Sequence, residues 1–159
     1  MRITLQPLTP EAFKPFGDVL MGLVPEGPER QNFAARIQNG RPSARLNVTY
    51  MRIALTPLPL TLDHLEQHPH SNQVFAPLAG TQQAVVVCPS GAEGEPDLAR
   101  VQGFLAGGGQ AVNYHARVWH APRSALCAPG EFVMLRWDCG DAEDTLKWAL
   151  PEPIEVVAG

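Results

Sequence analysis

Sixteen prolines and fourteen glycines are spread through 159 residues, and they interrupt the chain before almost any segment reaches helical length. Proline inside a helix removes a backbone donor and clashes with the preceding turn, and the residue before it is pushed out of the α region. Short apolar runs between such turn residues predict an all-β sandwich or barrel. Hydrophobic residues make up 45% of the chain, enough for a packed core and too many for a disordered segment. The length suits one domain over residues 1–159.

Two short helices are expected. Thr9-Pro10-Glu11-Ala12-Phe13 offers a Thr N-cap, Pro at the first helical position and an early Glu, with Gly17 closing the segment. The second opens at Thr61, runs through Leu62, Leu65 and Glu66, and stops before Pro69; it would leave His64 solvated. Strands are expected over Arg45 to Ile53, Gln82 to Cys88 and Glu131 to Asp138, with the final PEPIEVVAG as a closing strand or extended tail. In the first of these, Leu46, Val48 and Tyr50 share a face with Arg52, so parity points Arg52 inward with the apolar residues. Gly91 to Pro96 reads as a hairpin tip, and Gly107-Gly108-Gly109 as a tight turn rather than a phosphate loop, since no helix follows it.

A formal net charge of -4 argues against nucleic acid as a partner, because phosphate binding needs a basic surface. The three cysteines, Cys88, Cys127 and Cys139, form no CxxC pair and read as free thiols of a reducing compartment. No charged-then-apolar leader and no bilayer-length apolar run is present, so a cytoplasmic protein without membrane attachment is expected.

Four of the five histidines fall in two windows. In His68-Pro69-His70 the imidazoles are two residues apart, and an extended segment would face them the same way, with Gln73 adding an oxygen nearby. In VNYHARVWHAP, His115 and His120 are five apart and converge only if the chain turns between them, for which Ala116-Arg117 is the natural place. Neutral imidazole is the commonest ligand for Zn, Cu, Fe or Ni, and it also serves as general acid and base near neutral pH. A capping or solvated role is the structural alternative for each histidine taken singly.

The two windows resemble the cupin motifs: His68-Pro69-His70, then Gln73 where that family carries Glu, six residues before Gly80, and later a closing His120. A closer resemblance covers nearly the whole chain. EAFKPFGDVL, LPLTLDHLEQHPHSNQVFAPLAG, GGGQAVNYHARVWHAP and WDCGDAEDT are similar to segments of the ureidoglycolate lyase family. In that family's pattern position 70 need not be His, which shifts weight to His68, Gln73, His115 and His120.

The resemblance implies a cupin-like β-barrel of the double-stranded β-helix type that forms a homodimer. It also implies a divalent metal, nickel first, with manganese or zinc as alternatives. The implied reaction is cleavage of (S)-ureidoglycolate to glyoxylate and urea in allantoin breakdown. On this reading His68, Gln73 and His120 coordinate the metal or substrate, and His115 with His120 handles protons. Arg52 grips the substrate carboxylate, while Gln73, Asn113 and Tyr114 orient the substrate. Trp119 is expected as core or pocket wall. Two rivals stay open: another metal-dependent cupin enzyme, and a non-catalytic cupin that binds a small organic acid.

Overall fold

The computed structural model describes residues 1–20, 30, 32–33, 36–79 and 81–159. Its strands are β1 (Arg2–Thr4), β2 (Gln6–Pro7), β3 (Gly17–Leu20), β4 (Arg45–Ile53), β5 (Leu60–Gln67), β6 (Gln73–Ala79), β7 (Gln83–Cys88), β8 (Gln102–Ala106), β9 (Ala111–Tyr114), β10 (Trp119–His120), β11 (Gly130–Asp138) and β12 (Leu146–Val157). They form a seven-stranded sheet ordered β1-β12-β5-β10-β7-β8-β2 and a five-stranded sheet ordered β3-β9-β6-β11-β4. The sheets close on each other into a cupin-like barrel. The smaller sheet contributes Phe75, Val112, Tyr114 and Met134 to the interior, and the larger contributes Val85, Val87 and Phe104.

A second buried cluster lies on the other face of the larger sheet, where Leu62, Leu65, Val86, Cys88, Trp119, Ile154 and Val156 meet Ile3 and Leu5. This arrangement explains the unbroken apolar run of β7. Val85 and Val87 face the interior, while Ala84, Val86 and Cys88 face the second cluster, so every residue of the strand is buried. The short helix α1 (Pro10–Phe13) forms as its caps predict, with Thr9 Oγ1 accepting from the Ala12 N–H at 3.2 Å. It places Phe13 in the barrel interior, edge-on to Phe104 at 5.6 Å. Gly17 then starts β3, where a Cβ would strike the Asn113 carbonyl, so only glycine allows β3 to lie this close to β9.

Two expectations are corrected. Residues 61 to 68 do not form a helix: β5 occupies 61 to 67, pairing with β12 along Leu146↔Gln67, Lys147↔Glu66 and Trp148↔Leu65, and His68 follows it. The spacing of Leu62, Leu65 and Glu66 fits either structure, and pairing on both sides of the strand overrides local preference. Arg52, expected to point inward, is 76% exposed on its side chain, with Glu131 as its nearest carboxylate at 3.8 Å. The alternation of β4 holds, but the faces are reversed. Met51 packs on the barrel interior, while Val48 and Tyr50 are 61% and 56% exposed on the face that carries Arg52. Gly80, expected to close the first histidine motif, lies outside the described residues.

The three thiols occupy different environments. Burial, reinforced by the nearby Asp97 carboxylate, pushes the Cys88 thiol up to about 12, whereas Cys127 and Cys139 are exposed. Native protein at pH 8 is therefore expected to give two fast-reacting thiols with Ellman's reagent and the third only on denaturation. Three fast thiols in the folded state would contradict this packing.

Candidate metal centre

The barrel interior is apolar in its middle and polar at one end. Across the smaller sheet, Tyr114, Gln73 and Arg136 lie side by side in register. Across the larger sheet, His120 pairs with Glu66 on β5 and with Val87 on β7. His68 follows β5 directly and shares the face of Glu66 two residues earlier. One ligand atom from each of Glu66, His68 and His120 lies within 4.8 Å of the others.

The turn between β9 and β10 makes this possible. Arg117 adopts a left-handed conformation with φ 67°, and the Val118 N–H closes the turn on the His115 carbonyl at 3.3 Å. A non-glycine residue there is strained by about 1 kcal/mol or more. Backbone and side-chain bonds hold it: the Arg117 N–H donates to the His68 carbonyl at 3.1 Å, and Gln67 Nε2 donates to the Arg117 carbonyl at 2.8 Å. The sequence's requirement for a turn at Ala116-Arg117 is met, with a different result. It brings His120 against Tyr114, ring on ring at 4.3 Å and 8°. His115 is left on the outer side of the sheet, its side chain 36% exposed and 3.9 Å from Asp18.

The imidazoles are oriented from behind. His120 Nδ1 lies 3.0 Å from the Val118 carbonyl, which assigns the proton to Nδ1 and leaves Nε2 with a lone pair. That Nε2 is buried and has no hydrogen-bond partner among the described residues; Glu66 Oε1 is 3.5 Å away. His68 Nδ1 lies 2.8 Å from the Asp144 carbonyl, so the same tautomer leaves a lone pair on its Nε2, which Arg136 Nη1 approaches at 3.3 Å. Asp144 is itself anchored, accepting from the backbone N–H groups of Cys139, Gly140 and Asp141 and pairing with Arg41. The WDCGDAEDT segment is thus a folded support for His68. Gln73 Oε1 is a second buried polar atom without a hydrogen-bond partner among the described residues.

Electrostatics keep the group in ligand form. Burial alone would raise the Glu66 carboxyl, but contact with His120 and the charges of His68 and Arg136 outweigh it and hold Glu66 at about 2. Burial lowers His68 to about 4, helped by His120 and Arg136 and opposed by the Asp144 carbonyl and Glu66. The Glu66 carboxylate and the neutral His68 imidazole are ready donors at pH 7. The orphaned His120 nitrogen and the orphaned Gln73 amide oxygen are costly unless something takes them up. The donor set can hold a divalent transition ion.

Of the residues singled out in the sequence, the structure brings together His68, His120, Gln73 and Tyr114. Asn113 is buried but faces away, its amide engaged by Asn72 at 2.7 Å and Asp18 at 3.0 Å. His70 turns toward Glu143 at 3.8 Å. Neither His115 nor Arg52 belongs to the group. The sequence reading missed Glu66, which was hidden by the helix assignment although LEQH already spaces it two residues from His68. It also missed Arg136, whose Nη1 lies 2.7 Å from His68 Nδ1 and 2.9 Å from Thr145 Oγ1. Because His68 Nδ1 donates to Asp144, Arg136 acts there as a neighbouring charge rather than as a donor to that nitrogen. The alternation of Phe132, Met134 and Arg136 in EFVMLRWD was the available signal.

An all-β barrel with a buried His-His-Glu group at one end defines a cupin-like protein equipped for metal binding. The chain belongs to the ureidoglycolate lyase family, whose profile matches residues 1–157. It is 38% identical over 141 residues to the ureidoglycolate lyase of Pseudomonas savastanoi pv. phaseolicola, covering 84% of this chain and 82% of that one. The ureidoglycolate lyase of Azotobacter vinelandii is 38% identical over 143 residues, 85% of each chain. That of Chelativorans sp. is 32% identical over 164 residues, 98% of this chain and 96% of its own.

The shifted groups make the metal-free protein sensitive to acid. His68 is lowered from 6.5 to about 4, so its contribution to stability is full above pH 6.5 and is lost as pH falls toward 4; that of Glu66, lowered from 4.5 to about 2, is lost below pH 4.5. Acidifying metal-free protein from pH 7 to 4.5 is expected to lower Tm by about 4–8 °C through His68, on the order of 2 kcal/mol. His68→Gln should flatten that slope; an unchanged slope in the variant would contradict the assignment.

Proposed function

We propose that this chain is a metal-dependent ureidoglycolate lyase that cleaves (S)-ureidoglycolate to glyoxylate and urea. The observation that carries the reading is the convergence of Glu66, His68 and His120, with His120 Nε2 and Gln73 Oε1 buried and unpartnered, in a member of this family. Glu66, His68 and His120 would hold the ion, with Gln73 Oε1 as a further oxygen, and nickel is the first choice, with manganese or zinc as alternatives.

The reacting carbon of ureidoglycolate carries a hydroxyl, a carboxylate and a urea nitrogen. Cleavage moves the hydroxyl proton to a base, converts C–O to C=O, and sends the C–N electron pair to nitrogen, which takes a proton. A bound divalent ion supplies Lewis acidity that lowers the hydroxyl pKa. Glu66, ionised at neutral pH, would offer its second carboxylate oxygen as acceptor for the hydroxyl proton. Burial holds the Tyr114 phenol above its ordinary value, so it stays protonated. Its oxygen accepts from Arg123, which leaves its own proton available to the departing nitrogen. The acid/base role expected of His115 passes to Glu66 and Tyr114, because His115 stands on the outer side of the sheet.

A homodimer is part of the same reading. The outer face of β4 presents Leu46, Val48 and Tyr50 to solvent, continued by half-buried Val133 and Leu135 on β11 and by exposed Leu78 on β6. Apolar surface of this extent on a sheet face marks an association site. No helix of the described residues is long and apolar enough to cross a membrane. Exposed, unpaired Cys127 and Cys139 suit a cytoplasmic location.

Two measurements test the reading. Racemic ureidoglycolate with Ni, Mn or Zn supplied is expected to yield equal glyoxylate and urea, and His120→Ala should lower kcat by roughly 10²-fold or more together with metal content. Absence of release with every metal would overturn the activity and favour a non-catalytic cupin. Val48→Glu should convert a dimer to monomer in light scattering; an unchanged mass, or a monomeric wild type, would remove the dimer.

A further inference from the structure

Among the described residues, three arginines are half-buried: Arg41, Arg123 and Arg136. Arg41 pairs with Asp141 and Asp144, and Arg136 with Asp138. Among the described residues, Arg123 has no carboxylate within 4.0 Å, in contrast to these two. Its Nη1 donates to Gln83 Oε1 at 2.7 Å and its Nη2 to Tyr114 Oη, both neutral acceptors, and its buried Nε has no hydrogen-bond partner among the described residues. The guanidinium carbon also lies over the Phe75 ring, 4.5 Å from its centroid. A positive charge held in a fixed orientation in low dielectric, with a donor unspent, is expensive unless an anion completes it.

The placement of this charge ties it to the metal centre. Tyr114 receives Arg123 at its hydroxyl and stacks on His120 through its ring. Arg123 also lines a cavity of about 230 Å³ with Leu62, His64 and Ser124. His64 stands two residues from Glu66 on β5, so the cavity follows the strand that carries the metal-binding carboxylate. The volume lies below the roughly 300–1,000 Å³ of sites for drug-sized ligands and suits a small acid.

We propose that Arg123 is the carboxylate-binding residue of this site, gripping the carboxylate of ureidoglycolate or glyoxylate while its reacting carbon faces Glu66, His68 and His120. This rests on the lyase reading for the identity of the acid, but not for the presence of an anion subsite. It moves the role from Arg52, whose guanidinium is on the outer surface. A planar guanidinium with a free N–H can make two hydrogen bonds to a carboxylate, which a lysine cannot reproduce.

The test separates the two claims. Chelator-treated protein, free of metal, is titrated with ¹³C-labelled glyoxylate and followed by NMR, for wild type, Arg123→Gln, Arg123→Lys and Arg52→Gln. Saturable binding is expected in wild type and in Arg52→Gln, with affinity reduced at least ~10-fold in Arg123→Gln and by less in Arg123→Lys. Equal affinity in wild type and Arg123→Gln overturns the proposal, as does no binding by wild type. Should Arg123→Gln fail to fold, Arg123→Lys decides alone: unchanged affinity overturns the proposal and a several-fold loss supports it. In turnover, the Arg123 variants should raise KM more than they lower kcat. Arg123-dependent glyoxylate binding in a protein that never cleaves ureidoglycolate would sustain the anion subsite and sink the lyase reading. Normal KM in Arg123→Gln with normal turnover would do the reverse.

Discussion

The site depends on one backbone contact between distant segments, the hydrogen bond from the Arg117 N–H to the His68 carbonyl. It locks the left-handed turn after β9 onto the end of β5. With that turn fixed, β10 enters the larger sheet with His120 opposite Glu66, and the imidazole lands flat on Tyr114. A one-residue slip would send His120 to the other face of the sheet and dismantle the group. Gln67 adds a second tether to the same turn and Ser90 a third, each donating to the Arg117 carbonyl. Strain at Arg117 is therefore held by three bonds, to His68 and from Gln67 and Ser90.

The barrel's inner surface separates two tasks along its axis. Phe75, Met134, Val85 and Phe104 fill the middle and supply hydrophobic stabilisation, and the polar residues are confined to one end. Charges there are costly to bury, and the fold offsets the cost unevenly. Arg136 is matched by Asp138, Arg41 by Asp144, and the two imidazoles are oriented by carbonyls. Among the buried polar atoms left without a hydrogen-bond partner in the described residues are His120 Nε2, Gln73 Oε1 and Arg123 Nε. These unmatched atoms are of two kinds, electron-pair donors suited to a cation and an N–H suited to an anion. A chelating hydroxy acid bound to a divalent ion presents both.

Several features were legible in the sequence because they are local. The density of proline and glycine excluded long helices, the N-cap at Thr9 located α1, and alternation for β4 and apolar composition for β7 and β11 placed these strands within a residue or so. His68, Gln73 and His120 were found because their residue types and spacing are unusual. What failed depended on tertiary partners. Leu62, Leu65 and Glu66 suit a helix as well as a strand, and only pairing with β10 and β12 settles the matter, so Glu66 was lost with the assignment. Parity put Arg52 on the face of Leu46, Val48 and Tyr50 correctly, but an apolar strand face can meet a partner surface instead of the interior. Tyr114 and His115 are adjacent on β9 and face opposite sides, so one motif supplies the barrel and the outer surface at once. Arg123 carries no local signal; its significance lies in lacking a carboxylate partner among the described residues.

The central claim is that Glu66, His68 and His120 hold one divalent ion at the end of the barrel. Crystals soaked in nickel or manganese, with data collected on either side of the metal's absorption edge, test it directly. The account predicts a single strong anomalous peak at bonding distance from His68 Nε2, His120 Nε2 and a Glu66 oxygen, absent from crystals of His68→Ala. A peak at His115 and Asp18 with none inside the barrel would contradict it.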